Sequence, residues 1–364
     1  MGEGKVFDGC AIHLIPNGFA GFSGLLAPPF FGCCQWLYIS DIIKNMLSDI
    51  IYSMSETIAA SIEGKKRQLD SLRPLDAGVL RRLDEQFSIE WTYNSNALEG
   101  NTISLGETEL VLRQGITIGH KTLREHFEIL NHDKAVSMLK EFVQKKRVLT
   151  SELMRELHAQ ILFSIDDANA GFYRRTNVRI LGAYHIPPRC EKVPAMMEEL
   201  VAFYHENRYT MNPVLLAAAM HYQLVYIHPF VDGNGRTARL LMNLVLMEAG
   251  YPPAIILNLD RGRYLNSLNE ANRGRFAHYF DFIGKSVERS LVLYLDACMP
   301  SGRISSNAEY ITLQEASRHC SYSQEYLSLL ARTNRLPAVK FGRNWMTTLE
   351  ALESYIERHG KSER

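Results

Sequence analysis

Apolar residues recur at steps of three and four along most of this chain from about Ile42 onward, which is the spacing of amphipathic helices. In the segment 75–93, Leu80, Leu83, Phe87 and Trp91 fall on one helical face. The same spacing, with helix start and stop residues at the ends, predicts further helices at 107–113, 122–143, 151–162, 213–227 and from Asn234 to Gly250. The pattern therefore predicts a mainly α-helical protein.

Residues 177–184 (NVRILGAY) break this helical pattern. They are short, β-branched and interrupted by glycine, and they are followed by Pro187-Pro188. Such a segment favours a β-hairpin flap in an otherwise helical domain.

The N-terminal stretch 9–40 contains no Lys, Arg, Asp or Glu, which raises the question of a membrane segment. Pro16, Pro28 and Pro29 divide it into runs shorter than the ~20 apolar residues that a spanning helix needs. It also lacks the basic head of a secretory signal, although an anchor or a cleaved signal stays open as an alternative. We expect residues 1–45 to be a poorly ordered tail or a start-site extension, with translation beginning at Met46 or Met54.

Composition and charge describe an ordinary globular protein. The chain has 364 residues, 46% of them apolar, and its 40 basic and 40 acidic residues leave no formal net charge. At roughly 150 residues per domain this length predicts about two domains with a small further module, and it excludes a collagenous, disordered or strongly basic coat protein. The six cysteines show no CxxC spacing, so we expect reduced thiols and a cytoplasmic location. The short apolar runs of residues 9–40 predict that the protein has no membrane partner.

The segment 228–239 combines residue types that suit phosphate chemistry. Glycines at a helix start let the backbone N–H groups approach an anion closely, and two arginines three positions apart reach the same anion. A carboxylate in the turn suits Mg²⁺, and a histidine with an intrinsic pKa near ~6.5 suits a general base. For any one residue a packed turn is the simpler interpretation, but the set favours an anion site. The segment reads His228-Pro-Phe230-Val-Asp232-Gly233-Asn234-Gly235-Arg236-Thr-Ala-Arg239.

These twelve residues match the signature HxFx(D/E)GNGRxxR, and the chain resembles the Fic (filamentation-induced by cAMP) family over roughly residues 75–296. The resemblance implies a mainly α-helical fold and transfer of AMP from ATP to a protein hydroxyl. It implies that His228 deprotonates the target hydroxyl, that Asp232 binds Mg²⁺ and that Phe230 is a packing residue. It further implies that phosphates are held by the amides of Gly233, Asn234 and Gly235 and by the side chains of Arg236 and Arg239.

Relatives that act as kinases lack the acid or the glycine of this loop, whereas Asp232 and Gly235 are both present here. A competing nucleotide motif is absent from the sequence. The triplet Gly284-Lys285-Ser286 follows Tyr279, where a P-loop needs its first glycine, so we interpret it as an ordinary helix end.

A second match lies upstream of the signature. Ser95-Asn-Ala-Leu-Glu99-Gly100-Asn101 is similar to the inhibitory motif (S/T)xxxE(G/N) of the same family. The resemblance implies that Glu99 pairs with Arg239 and so competes with the ATP γ-phosphate. A nucleotide misplaced by ~1 Å reacts roughly 100-fold more slowly, so such competition would restrain transfer.

Other expected site residues depend on the resemblance alone. Val178, Arg179 and Ile180 fall in the flap, which would align a target peptide as an added strand. Tyr264 and Asn272 fall where relatives contact the nucleoside, with a plain surface tyrosine as the alternative for Tyr264. His221 is interpreted as a packed helix residue rather than a second base.

The C-terminal module follows a serine-rich stretch. Thr312 and Glu315 form a capping-box pattern at a short helix, a second helix follows Ser323, and Thr348 is placed to cap a last helix. Between them, residues 336–345 resemble a hairpin wing with Gly342 at its tip. The module is similar to excisionase-type winged helix-turn-helix domains, which implies DNA binding. Residues 318–343 contain five basic residues and one acidic residue, so the surface expected to face DNA is only modestly basic. A protein-docking or dimerising domain therefore remains an alternative interpretation of the module.

The predicted organisation has an extension at 1–45, a helical region with the inhibitory motif at 46–115, a Fic core at 116–300, a linker at 301–307 and a winged helix-turn-helix module at 308–364. The leading hypothesis is a Fic protein adenylyltransferase that uses ATP and Mg²⁺, modifies an unknown target protein and is autoinhibited by Glu99. Two alternatives stay open: removal of AMP at the same site, and a DNA-binding regulator whose Fic domain modifies itself. The sequence leaves the oligomeric state open, a homo-oligomer included.

Overall fold

The computed structural model describes residues 54–180, 185–298, 310–332, 336–341 and 344–359, and most of them lie in helices. This confirms the mainly α-helical prediction. The helices before residue 299 are α1 (Glu56–Ser71), α2 (Ala77–Ala97), α3 (Leu105–Gln114), α4 (Leu123–Gln144), α5 (Ser151–Leu162), α6 (Val193–Asn207), α7 (Pro213–Ile227), α8 (Asn234–Glu248), α9 (Arg261–Ala271) and α10 (Ala277–Cys298). Short 3₁₀ turns at Cys190–Lys192 and Asn258–Asp260 precede α6 and α9.

Side-chain caps fix several helix starts. Ser104 and Thr122 each form a capping box with the glutamate three residues later, at the starts of α3 and α4. Thr150 accepts from the Leu153 N–H at 3.2 Å, so the predicted cap of α5 is confirmed. Asn212 accepts from two backbone N–H groups ahead of Pro213, as its sequence predicts for α7.

The core centres on α7, which is apolar almost all round and buried along most of its length. It packs most extensively against α8, and α8 also contacts α4 and α5. A helix buried on all sides cannot rotate or shift without disturbing its neighbours. The loop between α7 and α8 is therefore held at both ends by buried, closely packed helices.

The first and last of these helices, α1 and α10, pack against each other through Gly284. A Cβ at Gly284 would lie 2.8 Å from Met54 Sδ and 3.0 Å from Ile58 Cγ2, so the absence of a side chain permits the close contact. The interpretation of this glycine as a helix end is wrong, because it lies inside α10. Lys65 and Glu288 add an ion pair of 3.0 Å between the two helices.

The C-terminal module contains a three-stranded antiparallel sheet with strand order β1-β3-β2. Its elements are β1 (Tyr310–Thr312), α11 (Leu313–Ala316), α12 (Gln324–Arg332), β2 (Val339–Phe341), β3 (Asn344–Thr348) and α13 (Leu349–His359). Thr312 and Thr348 cap α11 and α13 as predicted, at 3.2 Å and 3.1 Å. Leu327, Leu330 and Leu352 contribute to a separate apolar core of this module.

Some predictions concern residues outside the described ranges: the extension 1–45, the linker 301–307, the flap residues 181–184 and the wing tip at Gly342. The described flap residues 177–180 and 185–189 are assigned to neither helix nor strand, so the hairpin stays a prediction. Within the described ranges, every helix is too short or too polar to cross a membrane.

Candidate active site

The catalytic loop of residues 228–233 joins the C-terminus of α7 to the N-terminus of α8. His228 ends α7 in the left-handed region, with φ 50° and ψ 58°, which is uncommon for a residue other than glycine. Gly233, with φ 75°, precedes the first residue of α8. Between them Asn234 exchanges two 2.9 Å hydrogen bonds with the backbone of Phe230, which ties the loop to the helix start. Asn234 thus holds the loop with its side chain.

His228 is a neutral base whose tautomer is fixed. Its Nδ1 lies 3.3 Å from the Val225 carbonyl oxygen, which can only accept, so Nδ1 donates and Nε2 retains its lone pair. Burial lowers the pKa of His228 to about 4, and the positive charge of Arg174 contributes in the same direction. At neutral pH the imidazole is therefore ready to accept a proton through Nε2.

The N-terminus of α8 has the features of an anion site. Its first amides have no carbonyl partner within the helix, and the helix dipole adds positive potential there. Arg236 lies beside them and is 2% exposed, yet its Nε and Nη1 make no hydrogen bond to any described residue. Its Nη1 is 3.7 Å from Glu128, an ion pair longer than a hydrogen bond. A buried guanidinium with unused donors is arranged to receive phosphate oxygens.

Asp232 is an ionised carboxylate at the rim of this anion site. Burial would raise its pKa, but Arg236, the Gly233 N–H and Arg124 outweigh burial and hold the pKa below its ordinary value. Arg124 pairs with it at 2.7 Å, and the Asp232 side chain remains 44% exposed. No group of three or more His, Cys, Asp or Glu side chains that could hold a metal occurs among the described residues. A single accessible carboxylate beside a phosphate site fits Mg²⁺ that arrives with a nucleotide.

Glu99 lies directly over the N-terminal turn of α8. Its carboxylate accepts from Arg239 Nη2 at 2.7 Å, and a Cβ placed on Gly235 would be only 2.2 Å from Glu99 Oε1. Arg239 is buried and also donates to the Ser95 hydroxyl at 3.0 Å and to the Ser95 carbonyl at 2.8 Å. The serine and the glutamate of the predicted inhibitory motif, Ser95 and Glu99, therefore contact the same guanidinium.

The turn that presents Glu99 is held from two sides. Arg261 donates to the Leu98 carbonyl at 3.0 Å, which satisfies one acceptor at the end of α2. Asn101 donates to Glu128 at 2.9 Å, and Glu128 in turn faces Arg236. Sequence reasoning missed Glu128, because the helical pattern of α4 gives no sign that this residue connects the Glu99 turn to the anion site.

His158 is a second residue that sequence reasoning missed. It is fully buried and stacks on Phe230 at a centroid separation of 3.6 Å, which confirms Phe230 as a packing residue. Its Nδ1 accepts from the Gly171 N–H at 3.0 Å, so its Nε2 carries the proton and donates to the Asp232 carbonyl at 2.9 Å. In the sequence, the position of His158 on an apolar helical face was the feature that could have indicated its buried role.

Tyr264 is not a surface residue, since only 4% of it is exposed. Its hydroxyl donates to His221 Nε2 at 3.1 Å, and His221 Nδ1 donates to the Tyr279 hydroxyl at 2.7 Å. Tyr279 completes the series by donating to the Ala218 carbonyl at 2.9 Å. His221 is therefore a packed helix residue, as predicted, and Tyr264 supports the region behind Arg239.

Asn272 caps the end of α9, and its side-chain oxygen accepts from Tyr222 at 3.0 Å. In the flap, Arg179 is exposed, and Val178 and Ile180 are half-buried. The nucleoside and peptide contacts expected of these residues stay predictions.

Comparison with known proteins relates this chain to one family. The Fic/DOC family model matches residues 148–246, which include the whole catalytic loop. A crystal structure of a Fic-domain-containing signaling protein from Bacteroides thetaiotaomicron is 34% identical with a TM-score of 0.62, over 65% of this chain and 96% of that one. The chain belongs to the Fic/DOC family. Fic-1 from C. elegans is 31% identical with a TM-score of 0.62, over 76% of this chain and 80% of the other.

Among curated relatives, the protein adenylyltransferase Fic of Drosophila sechellia is 37% identical over 253 residues, which is 69% of this chain and 51% of the relative. The enzyme of the same name from Culex quinquefasciatus is 38% identical over 254 residues, or 69% of this chain and 50% of the relative. The chain thus spans about half the length of the curated relatives it matches. Membership of the Fic family, inferred from the loop, is confirmed.

Proposed function

We propose that this protein is a protein adenylyltransferase that moves AMP from ATP to a Ser, Thr or Tyr hydroxyl of a target protein. The observation that carries the proposal is the presence of two suitable groups at the two ends of the catalytic loop. A neutral histidine with a free Nε2 ends α7, and a buried guanidinium with unused donors begins α8. The Fic relatives named as protein adenylyltransferases support the same chemistry.

In this reaction the target hydroxyl oxygen attacks the α-phosphorus of ATP. The bond from that phosphorus to the oxygen bridging toward the β-phosphate breaks, pyrophosphate leaves, and the hydroxyl proton passes to His228 Nε2. The amides of Gly233, Asn234 and Gly235, with Arg236, hold the phosphates in line. Mg²⁺ bound with the nucleotide at Asp232 would reduce the repulsion between phosphate oxygens.

Glu99 restrains the activity by occupying Arg239. A carboxylate 2.7 Å from this buried guanidinium takes the donors that a γ-phosphate would use, and it adds negative charge to a site that must receive a polyanion. A hydrogen bond to a charged group contributes about 1.5–3 kcal/mol, so releasing it should raise transfer by roughly 10- to 150-fold.

The test is intact-mass spectrometry of purified full-length Glu99→Gly protein incubated with ATP and Mg²⁺. We expect a mass increment of one AMP on the single variant and none on Glu99→Gly/His228→Ala. Glu109→Gly is the matched control, because Glu109 is an exposed acid on α3 that pairs only with Arg113 among the described residues. If self-modification fails, labelled-AMP transfer to proteins of a cell extract follows. Equal labelling by wild type and Glu99→Gly would refute the inhibitory role.

The reverse reaction is a second candidate, because the Glu99 side chain is 41% exposed beside the anion site and a carboxylate there could orient a water. In that case wild type, but not Glu99→Gln, would release AMP from a modified protein. Retention of the hydrolysis in Glu99→Gln would exclude this role of Glu99.

We further propose that residues 308–364 form a winged helix-turn-helix module that binds DNA. The three-stranded sheet with α11, α12 and α13 supports this assignment, as does the exposure of Arg318 and Arg332. Binding to DNA should weaken with salt and in Arg335→Ala or Arg343→Ala. Binding unchanged by both substitutions would argue against this recognition face and for a protein-docking role.

The remaining assignments extend the proposed reaction. Val178, Arg179 and Ile180 would receive the target peptide, and Tyr264 and Asn272 would border the nucleoside site. The division into a helical region at 46–115, a core at 116–300 and the C-terminal module is proposed on the same basis.

A further inference from the structure

Arg174 is a buried cation held mainly by hydrogen bonds to the backbone. It is 3% exposed, and it makes no ion pair within the described part of the chain. A buried charge is costly unless its donors are satisfied. All of the hydrogen bonds described for the Arg174 guanidinium go to backbone carbonyl oxygens, so its position depends on backbone conformation alone.

One group of these carbonyls belongs to the catalytic loop and the end of α7. Arg174 Nε donates to the His228 carbonyl at 2.8 Å, and Nη2 lies 3.5 Å from the Ile227 carbonyl. The Arg174 backbone N–H donates to the Pro229 carbonyl at 2.9 Å. The carbonyls at a helix C-terminus lack partners within the helix and carry partial negative charge, so an arginine stabilises them.

The other carbonyls belong to the two flap arms, residues 176–180 and 185–189. Nη1 donates to the Thr176 carbonyl at 3.0 Å, and Nη2 donates to the Pro188 carbonyl. One planar guanidinium thus connects the first arm, the second arm and the backbone of His228.

Two further bonds support the same connection. His185 in the second arm donates from Nε2 to the Tyr226 carbonyl at 2.8 Å and stacks on the Tyr226 ring at 4.0 Å. His158 joins Gly171, just before the first arm, to the Asp232 carbonyl. Both arms are therefore fastened to residues 226–232.

The conformation of His228 shows why such a connection is needed. A left-handed residue with a Cβ costs roughly 1–2 kcal/mol, and the direction of the imidazole depends on that conformation. The Arg174 bond to the His228 carbonyl lies on the peptide that follows this residue. Without it, the loop could return to an ordinary helical or extended backbone and turn Nε2 away.

We propose that Arg174 is a positioning residue that holds the catalytic histidine and both flap arms as one rigid unit, so that a target hydroxyl placed by the flap meets Nε2 in register. The catalytic part of this proposal rests on the proposed adenylyl transfer, whereas its structural part does not. Arg174 acts through the backbone of His228 and of the arms.

Hydrogen–deuterium exchange of the full-length chain tests the structural part. Arg174→Gln should raise exchange at least tenfold, and together, in peptides covering 174–180, 185–189 and 226–232. Arg174→Lys, which keeps the charge with fewer donors, should give a smaller rise in the same peptides. The matched control is Arg113→Gln, which removes an exposed arginine on α3. Faster exchange only around residue 174, or equally throughout the domain, would overturn the proposal.

The catalytic part is measured in the Glu99→Gly background. Arg174→Gln should slow single-turnover AMP transfer about 100-fold, the effect of a displacement near 1 Å, while the Kd for a non-hydrolysable ATP analogue stays within twofold. Arg174→Lys should restore part of the rate. A loss of nucleotide binding equal to the loss of rate would show a general structural role instead. If the Glu99→Gly parent transfers no AMP, the proposed function fails and the exchange experiment alone decides the role of Arg174.

Discussion

The position of Glu99 over α8 predicts that Gly235→Ala changes stability in opposite directions in two backgrounds. Gly235 is the second residue of α8, and its backbone is not in the left-handed region, so alanine suits the helix. Alanine is favoured over glycine there by up to about 1 kcal/mol. In the wild type, however, the new Cβ would lie 2.2 Å from Glu99 Oε1 and 3.0 Å from Arg239 Nη1.

The two effects differ in size. The Cβ must displace the Glu99 carboxylate from Arg239, and this charged hydrogen bond is worth about 1.5–3 kcal/mol. The net loss in the wild type is then about 0.5–2 kcal/mol, or a Tm of the catalytic domain lower by about 1–8 °C. In a Glu99→Ala background the clash with the carboxylate is gone, and the same change should raise Tm by about 2–4 °C.

Thermal unfolding of the four proteins in the cycle measures this difference without any assumption about activity. Gly106→Ala is the matched control, since Gly106 is the second residue of α3 and a Cβ there would meet nothing within 4 Å. It should stabilise both backgrounds alike. If the effects of Gly235→Ala agree in the two backgrounds within about 0.5 kcal/mol, Glu99 does not occupy the start of α8 and the reasoning fails.

Three further predictions follow from other contacts. Burial lowers the pKa of His158 to about 4 and that of His221 to about 3, so both residues are neutral in the native state at pH values where the unfolded chain already binds a proton at each. Their contribution to the free energy of unfolding is therefore complete above pH 6.5 and declines as the pH falls toward these native-state values. The free energy of unfolding from urea titrations should therefore drop by about 2 kcal/mol per histidine between pH 7 and 5, and a constant value would contradict the assigned protonation. Gly284→Ala should destabilise the protein by about 1–3 kcal/mol in the same assay, whereas Gly64→Ala, in an open position on α1, should not. Arg124→Gln frees the loop carboxylate and should tighten Mg²⁺-dependent binding of an ATP analogue severalfold by calorimetry; unchanged affinity would show that the pair does not compete with the cation.

Local sequence patterns predicted the helices because their causes are local. Thr150 and Asn212 place side-chain acceptors at helix starts, and both caps form as the spacing predicts. The loop from His228 to Arg236 was also predictable, since its glycines, acid and arginines lie within a few residues of one another. In each case the partners are close in the chain.

The rest of the site depends on contacts between distant segments. Arg174 and His158 reach the loop from 54 and 74 residues away in sequence, so no spacing rule indicates them. Burial of Tyr264 was equally hidden, because its pattern fits a surface residue as well as a packed one. Gly284 was wrongly predicted to mark a helix end for the same reason. It permits the close contact with α1, which lies more than 200 residues upstream.

The contact between α1 and α10 has a consequence for how this catalytic unit can be combined with others. The helices that open and close the unit lie side by side, and the ion pair of Lys65 with Glu288 joins them. Met54 lies beside Gly284 and Lys65 beside Glu288, so the two helices run in the same direction. The start of the unit at Met54 is therefore separated from its end at Cys298 by about 20 Å, the rise of the last four turns of α10. Circular permutation that links Cys298 to Met54 should therefore preserve the catalytic fold only when the new linker runs back along α10, which takes at least about seven extended residues.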